Sequence, residues 1–144
     1  MDFKLFLLRH AAYAGGSNPG ISDVGRDQAL QLVEKIRSYL DEEEKAEIWT
    51  STANRALETA QILQEQIPHN NFKSFLKLWS DNSHSYDFEW LKTMIKNFHG
   101  ESPLIIISHL EYVRYFPIVL GYIENNAEYA EGVFIHQGQC IDIE

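Results

Sequence analysis

Two apolar runs constrain this chain more than any other feature. Phe3–Leu8 is apolar at every position except Lys4, and Leu104–Ile107 is apolar throughout. A short run with no polar alternation suits a strand covered on both faces, as in parallel sheets flanked by helices. Each run then ends in a polar pair, Arg9-His10 after the first and Ser108-His109 after the second. Arginine is almost never fully buried without a partner. Something anionic, in the protein or bound to it, has to meet the first pair.

The remainder of the chain alternates helical and strand patterns. Ala14–Gly20 carries turn signals at nearly every position, and Ser22 or Asp23 is placed to cap a helix with Ala29, Leu32, Val33, Ile36 and Leu40 on one face. Glu47–Thr50 reads as a second strand. Ser51 or Thr52 then caps a helix with Ala53, Ala56, Leu57, Ala60, Leu63 and Ile67 on one side, closed by Pro68. Asn71–Leu78 reads as a third strand and Ser80–Tyr86 as a polar loop. Phe88, Leu91, Met94, Ile95 and Phe98 mark a third helix. After the second apolar run comes a helix that Pro117 is expected to kink or break, and Gly132–Ile143 reads as a hairpin. The expected fold is α/β: a three-layer sandwich with a mostly parallel central sheet, an antiparallel edge strand and helices on both faces. No repeat or linker divides residues 1–144, so one domain is expected.

Charge narrows the partners. The net charge is -9, from 21 acidic and 12 basic residues, which argues against nucleic acid or a membrane surface as partner. It also makes each cation at a strand or helix end informative. The single cysteine, Cys140, excludes an internal disulfide and fits a reducing compartment. No run approaches transmembrane length, and the first lacks the features of a signal peptide. A cytoplasmic monomer is the expectation.

In open parallel sheets, ligands lie beyond the carboxyl ends of the strands. Three strand ends here carry polar groups: Arg9-His10, Thr50-Ser51 with Arg55 in the next helical turn, and Ser108-His109. Helix N-termini after the second and fourth strands add backbone N–H groups at the same rim. Two arginine forks and two imidazoles suit a phosphoryl group. No metal-ligand spacing occurs among the histidines.

These residues resemble a known family. Leu8-Arg9-His10 is similar to the RHG motif of the histidine phosphatase superfamily, which includes the phosphoglycerate mutases. Thr50-Ser51, Arg55-Ala56 and Thr59-Ala60 resemble its second arginine motif, and Ile21-Ser22, Gly25-Arg26 and Gln28-Ala29 its helix-start segment. Ile107-Ser108-His109 resembles its strand-end second histidine. The small size resembles the SixA-type phosphohistidine phosphatases in particular. The resemblance implies a phosphatase with no cofactor and no metal. His10 would be the nucleophile, passing through a phosphohistidine that water releases. Arg9, Arg55 and His109 would hold the phosphoryl oxygens, with Arg26 and Ser108 as further phosphate ligands.

Two positions depart from the family pattern. Ala11 stands where the motif has glycine, a residue that permits a positive φ or a close backbone approach to phosphate. Its methyl group either crowds the pocket or is absorbed by the fold. No clear motif supplies a general acid; the candidate is Asp81 or His84, with Asp87 and Glu89 further on and Glu111 two residues after His109. A missing acid favours a good leaving group, so a phosphohistidine in a protein is the expected substrate. A small phosphorylated metabolite, or a degenerate phosphate- or phosphoprotein-binding module with little turnover, remain as alternatives.

Overall fold

The computed structural model describes residues 2–144. Its strands are β1 (Leu5–Arg9), β2 (Ala46–Ser51), β3 (His69–Phe75), β4 (Leu104–Ser108), β5 (Gly132–His136) and β6 (Gln139–Ile143). Its α-helices are α1 (Asp23–Arg37), α2 (Asn54–Gln66), α3 (Phe88–Lys96) and α4 (Leu110–Val119). One six-stranded sheet runs in the order β3-β2-β4-β1-β5-β6. β1, β2, β3 and β4 are mutually parallel where they pair, and the β5–β6 hairpin adds two antiparallel strands beside β1.

The two apolar runs are the centre of this sheet. Leu5, Phe6, Leu7, Leu8 and Leu104–Ile107 have no exposed surface. At ~1.5–3 kcal/mol for each large side chain buried, they dominate the stability of the sheet. Successive side chains go to opposite faces. Phe6, Leu8, Ile105 and Ile107 pack with Ala29, Leu32, Ala56, Ala60 and Leu63 of α1 and α2. Leu5, Leu7, Leu104 and Ile106 pack with Leu91, Ile95, Val113 and Phe116 of α3 and α4. Helices therefore cover both faces, which is why these strands show no polar alternation. The edge strand β3 has only half-buried and exposed residues, as an edge tolerates.

Several local expectations need correction. The third strand ends at Phe75, and Leu76–Leu78 form a 3-10 turn instead of continuing it. Helix α2 begins at Asn54 with Ala53 as its N-cap, not Ser51 or Thr52. The capping acceptor comes from far away: Asn18 Oδ1 accepts from the Asn54 N–H at 2.9 Å. Pro117 does not break α4, because it lies in the last turn of a ten-residue helix, where one missing hydrogen bond matters little. Ser22 caps α1 as expected, accepting from the Gly25 N–H at 3.1 Å. The β5–β6 turn uses Gln137 and Gly138 at φ 52° and 76°, the pair of positive values a two-residue hairpin loop requires. Among the described residues no helix is long and apolar enough to cross a membrane.

Candidate active site

Register alone brings the strand-end residues together. Arg9 pairs with Ser108 across β1 and β4, and Thr50 with Ile107 across β2 and β4. The residues that follow each strand therefore emerge side by side. His10 and His109 have ring centroids 5.0 Å apart, and both are buried, at 3% and 2% exposure. Arg55, in the first turn of α2, lies between them. Its Nε donates to His10 Nε2 at 3.3 Å, and its Nη2 donates to His109 Nδ1 at 3.3 Å.

These contacts fix the histidine tautomers. His10 Nδ1 lies 2.9 Å from the carbonyl oxygen of Ala11, so it carries the proton. The Nε2 lone pair then faces the guanidinium of Arg55. Burial pushes the His10 pKa from 6.5 down to about 4, and the positive charges of Arg55 and Arg9 push the same way, against the Ala11 carbonyl. His10 is neutral at ordinary pH. His109 receives Arg55 at Nδ1, so its Nε2–H donates to Ser51 Oγ at 2.8 Å. Burial, with the charge on Arg55 acting the same way, also pushes its pKa well down.

Arg9 completes the cluster from the other side. Its Nη1 donates to the Ala127 carbonyl at 3.2 Å, and its guanidinium carbon lies 4.2 Å from the ring centre of Tyr129. Its Nε is buried with no hydrogen-bond partner among the described residues. Tyr13 and Tyr129 flank His10 with ring centroids at 5.4 and 5.8 Å.

The loop that carries the nucleophile is held by backbone bonds to motif side chains. The Ala11 N–H donates to Thr59 Oγ1 at 3.0 Å, and that hydroxyl donates to the Arg55 carbonyl at 2.8 Å. The Ala12 N–H donates to Gln28 Oε1 at 2.9 Å, and its carbonyl accepts from the Ser22 N–H at 3.0 Å. Gly25 lies so close to this loop that a Cβ there would sit 2.0 Å from the Ala12 oxygen. The helix-start segment thus serves the site by clamping Ala12. Ala11 itself does not have a positive φ, and its methyl is fully buried in the apolar cluster beneath α1 and α2. The fold absorbs this departure on the core side.

Two expected phosphate ligands are not drawn in. The Ser108 hydroxyl turns away and donates to the Leu78 carbonyl at 2.6 Å, because successive strand side chains face opposite sides of the sheet. Arg26 is exposed on α1, and no side-chain hydrogen bond or ion pair among the described residues ties it to the cluster.

Asp81 does reach the site, in a form that does not suit an acid. Its Oδ2 lies 3.7 Å from Arg55 Nη2 and accepts from Trp79 Nε1 at 2.7 Å. Its Oδ1 accepts from the Ser83 and His84 N–H groups and from His84 Nδ1, at 2.7, 2.9 and 3.0 Å. Burial alone would raise its pKa, but the hydrogen bonds from His84, Ser83 and Trp79 outweigh it and hold the carboxyl well below the usual carboxylate range. Asp81 is a fixed anion.

Tyr13, Tyr129, Thr59 and Gln28 were not singled out as site residues from the sequence. Tyr129 had a usable signal. A β5 antiparallel to β1 must begin at the rim where β1 ends, which puts the residues before Gly132 beside Arg9. Indeed the Arg9 N–H donates to the Glu131 carbonyl at 2.8 Å, and the Ala130 N–H to the His10 carbonyl at 3.0 Å.

Comparison with known proteins bears on the fold. The sequence profile of the histidine phosphatase superfamily (branch 1) matches residues 5–74. No curated protein sequence matches the chain. Among solved structures, the protein histidine phosphatase SixA complexed with tungstate superposes with a TM-score of 0.78 at 16% identity, over 97% of this chain and 94% of that one. A SixA phosphohistidine phosphatase candidate from Agrobacterium tumefaciens gives 0.71 at 15% identity, over 100% and 97% of the two chains. A mutant phosphoserine phosphatase from Entamoeba histolytica, in complex with phosphoserine, gives 0.63 at 15% identity, over 97% and 94%.

Proposed function

We propose that this chain, which belongs to the histidine phosphatase superfamily, hydrolyses phosphorylated substrates through a phosphohistidine on His10. The observation that carries the reading is the His10 tautomer. The Ala11 carbonyl holds the proton on Nδ1, so the unprotonated Nε2 points into the cluster of Arg55, Arg9 and His109. Such a nucleophile needs no base to activate it.

In the first half-reaction Nε2 attacks phosphorus. The P–Nε2 bond forms, the bond to the leaving group breaks, and the electron pair departs with that group. Arg55 turns its Nε–H from His10 to a phosphoryl oxygen. Arg9 contributes its Nε–H, and the His109 ring lies 5.0 Å from that of His10, centroid to centroid. Positioned cations of this kind supply most of what phosphoryl transfer requires. Water then attacks phospho-His10, the P–Nε2 bond breaks, and phosphate leaves.

A phosphohistidine in a protein is the favoured substrate. Asp81 is tied down as an anion, so it is not available as the acid that would protonate an alkoxide. An imidazole leaves with less help. Hydrolysis of a small phosphate ester is a second reading, favoured by the ring of His84 beside Asp81. The degenerate binding module loses its main support, because the Ala11 methyl packs into the core and not into the pocket.

The test is to incubate the protein with an aryl phosphate, quench, and map phosphorylated residues by mass spectrometry. Label on His10, with turnover abolished in His10→Ala, is expected. Tight phosphate binding without turnover would instead support a binding module. Side-by-side rates on a phosphohistidine protein and a panel of sugar phosphates then decide the substrate, and a clear preference for a sugar phosphate overturns the favoured one.

A further inference from the structure

The hydrolysis half-reaction needs a group to take a proton from water. His10 cannot serve, since its Nε2 is bonded to phosphorus and its Nδ1–H is engaged with Ala11. Asp81 has both oxygens occupied by donors. Arginine does not deprotonate in proteins. His109 has Arg55 on one nitrogen and Ser51 on the other.

His84 is differently placed. A carboxylate only accepts, so the 3.0 Å contact with Asp81 Oδ1 puts a proton on His84 Nδ1, and Nε2 is the ring nitrogen not engaged by Asp81. The ring is stacked on Trp79, centroids 4.0 Å apart and planes at 14°. Trp79 in turn lies nearly parallel to His109, 6.3 Å away at 11°. Asp81 bridges to the nucleophile's own arginine, with Oδ2 3.7 Å from Arg55 Nη2. His84 also lines a cleft of about 630 Å³ together with Ser80, Asp81, Asn82, Tyr86 and Glu111. The ring is half-buried, so water reaches it.

We propose that His84 is the proton acceptor in the hydrolysis of phospho-His10, with Asp81 its positioning residue and Trp79 the surface that fixes the ring plane. A water molecule beside His84 Nε2 attacks phosphorus, and its oxygen forms the new P–O bond. The P–Nε2 bond of phospho-His10 breaks and its electron pair returns to His10. The proton lost by the water goes to His84 Nε2 and passes later to solvent. This inference rests on the phosphatase reading and extends it to the second step, which is common to every substrate considered above.

The experiment isolates that step. Wild-type, His84→Gln and Asp81→Asn proteins are loaded from phosphoramidate, transferred to substrate-free buffer, and quenched at intervals. Phosphorylated His10 is followed by mass spectrometry. His84→Gln is expected to form phospho-His10 and to lose it at least ~100-fold more slowly than wild type, the low end of what general-base catalysis contributes. Asp81→Asn is expected to slow the decay less, since an amide oxygen still accepts from His84 Nδ1. Wild-type decay in His84→Gln overturns the proposal. So does a His84→Gln protein that fails to load while wild type loads, which would make His84 structural. If wild type itself never carries phosphate on His10, the phosphatase reading fails and this inference falls with it.

Discussion

The two sides of the pocket are built in different ways. The grip on the phosphoryl group comes from strand ends. Arg9, His10 and His109 stand at the ends of buried strands whose register is locked by apolar side chains on both faces, and Arg55 sits in the first helical turn after another. The opposite wall, Trp79–Tyr86, is a loop held by its own side chains, chiefly by bonds to one carboxylate, Asp81. The lesson is a division of labour. The rigid sheet fixes the nucleophile and the charge, where displacement by an ångström is costly. A locally tied loop is left to define what lies beyond phosphorus.

The comparison breaks most easily at its strongest point. His10→Ala should lower turnover at least ~1000-fold, as expected on removing a covalent nucleophile. Steady-state hydrolysis of an aryl phosphate checks this, and activity above a tenth of wild type would show that the strand ends do not carry the chemistry. Arg55→Ala should cost ~100- to 1000-fold in kcat, the usual scale for losing a fixed group that stabilises transition-state charge. A change in KM alone would place Arg55 in uniform binding instead.

The buried grip also has a pH signature of its own. The folded pKa of His10, about 4, lies below its ordinary 6.5. Between those values the unfolded chain binds more protons than the folded one, so stability rises with pH. The contribution is fully present above about 6.5 and is lost as pH falls toward 4, with a ceiling of about 3 kcal/mol. Denaturant unfolding at pH 7 and pH 5 should show the loss, and in His10→Ala the difference should shrink. An unchanged difference would mean that His10 is not the group responsible.

Smaller effects belong to the loop and to the departure from the motif. Trp79→Phe keeps the aromatic surface under His84 but removes the N–H donated to Asp81. It should lower kcat by about two- to fivefold, in line with about 0.5–1 kcal/mol for one lost hydrogen bond at an accessible site. An effect as large as that of Arg55→Ala would erase the distinction between wall and grip. Ala11→Gly should do least to activity, below about twofold, while destabilising the fold by about 1 kcal/mol through one lost buried methyl and added chain freedom. A large gain in kcat would show that the methyl crowds the phosphate after all.

Much of this was legible from residue order. Unbroken apolar runs ending in Arg9-His10 and Ser108-His109 imply parallel strands covered on both faces, and hence a shared rim. Arg55-Ala56 with Thr59-Ala60 places an arginine at that rim for reasons of helical spacing. Where reading failed, the cause was non-local. Asn18 caps α2 from 36 residues away, and no local pattern announces such a partner. Ser108 stands beside a site histidine in sequence, yet strand alternation turns its hydroxyl to the opposite side.

The sequence by itself determined the layers, the strand ends that meet and the residue types available for phosphate, because periodicity and burial are properties of short stretches. Only the tertiary structure decided the protonation states. The Ala11 carbonyl sets the tautomer of His10, burial with the charges of Arg55 and Arg9 keeps it neutral, and hydrogen bonds from His84, Ser83 and Trp79 make Asp81 an anion. Those outcomes depend on distances of about 3 Å between groups far apart in the chain, and hydrogen bonding and desolvation act only once the chain has folded.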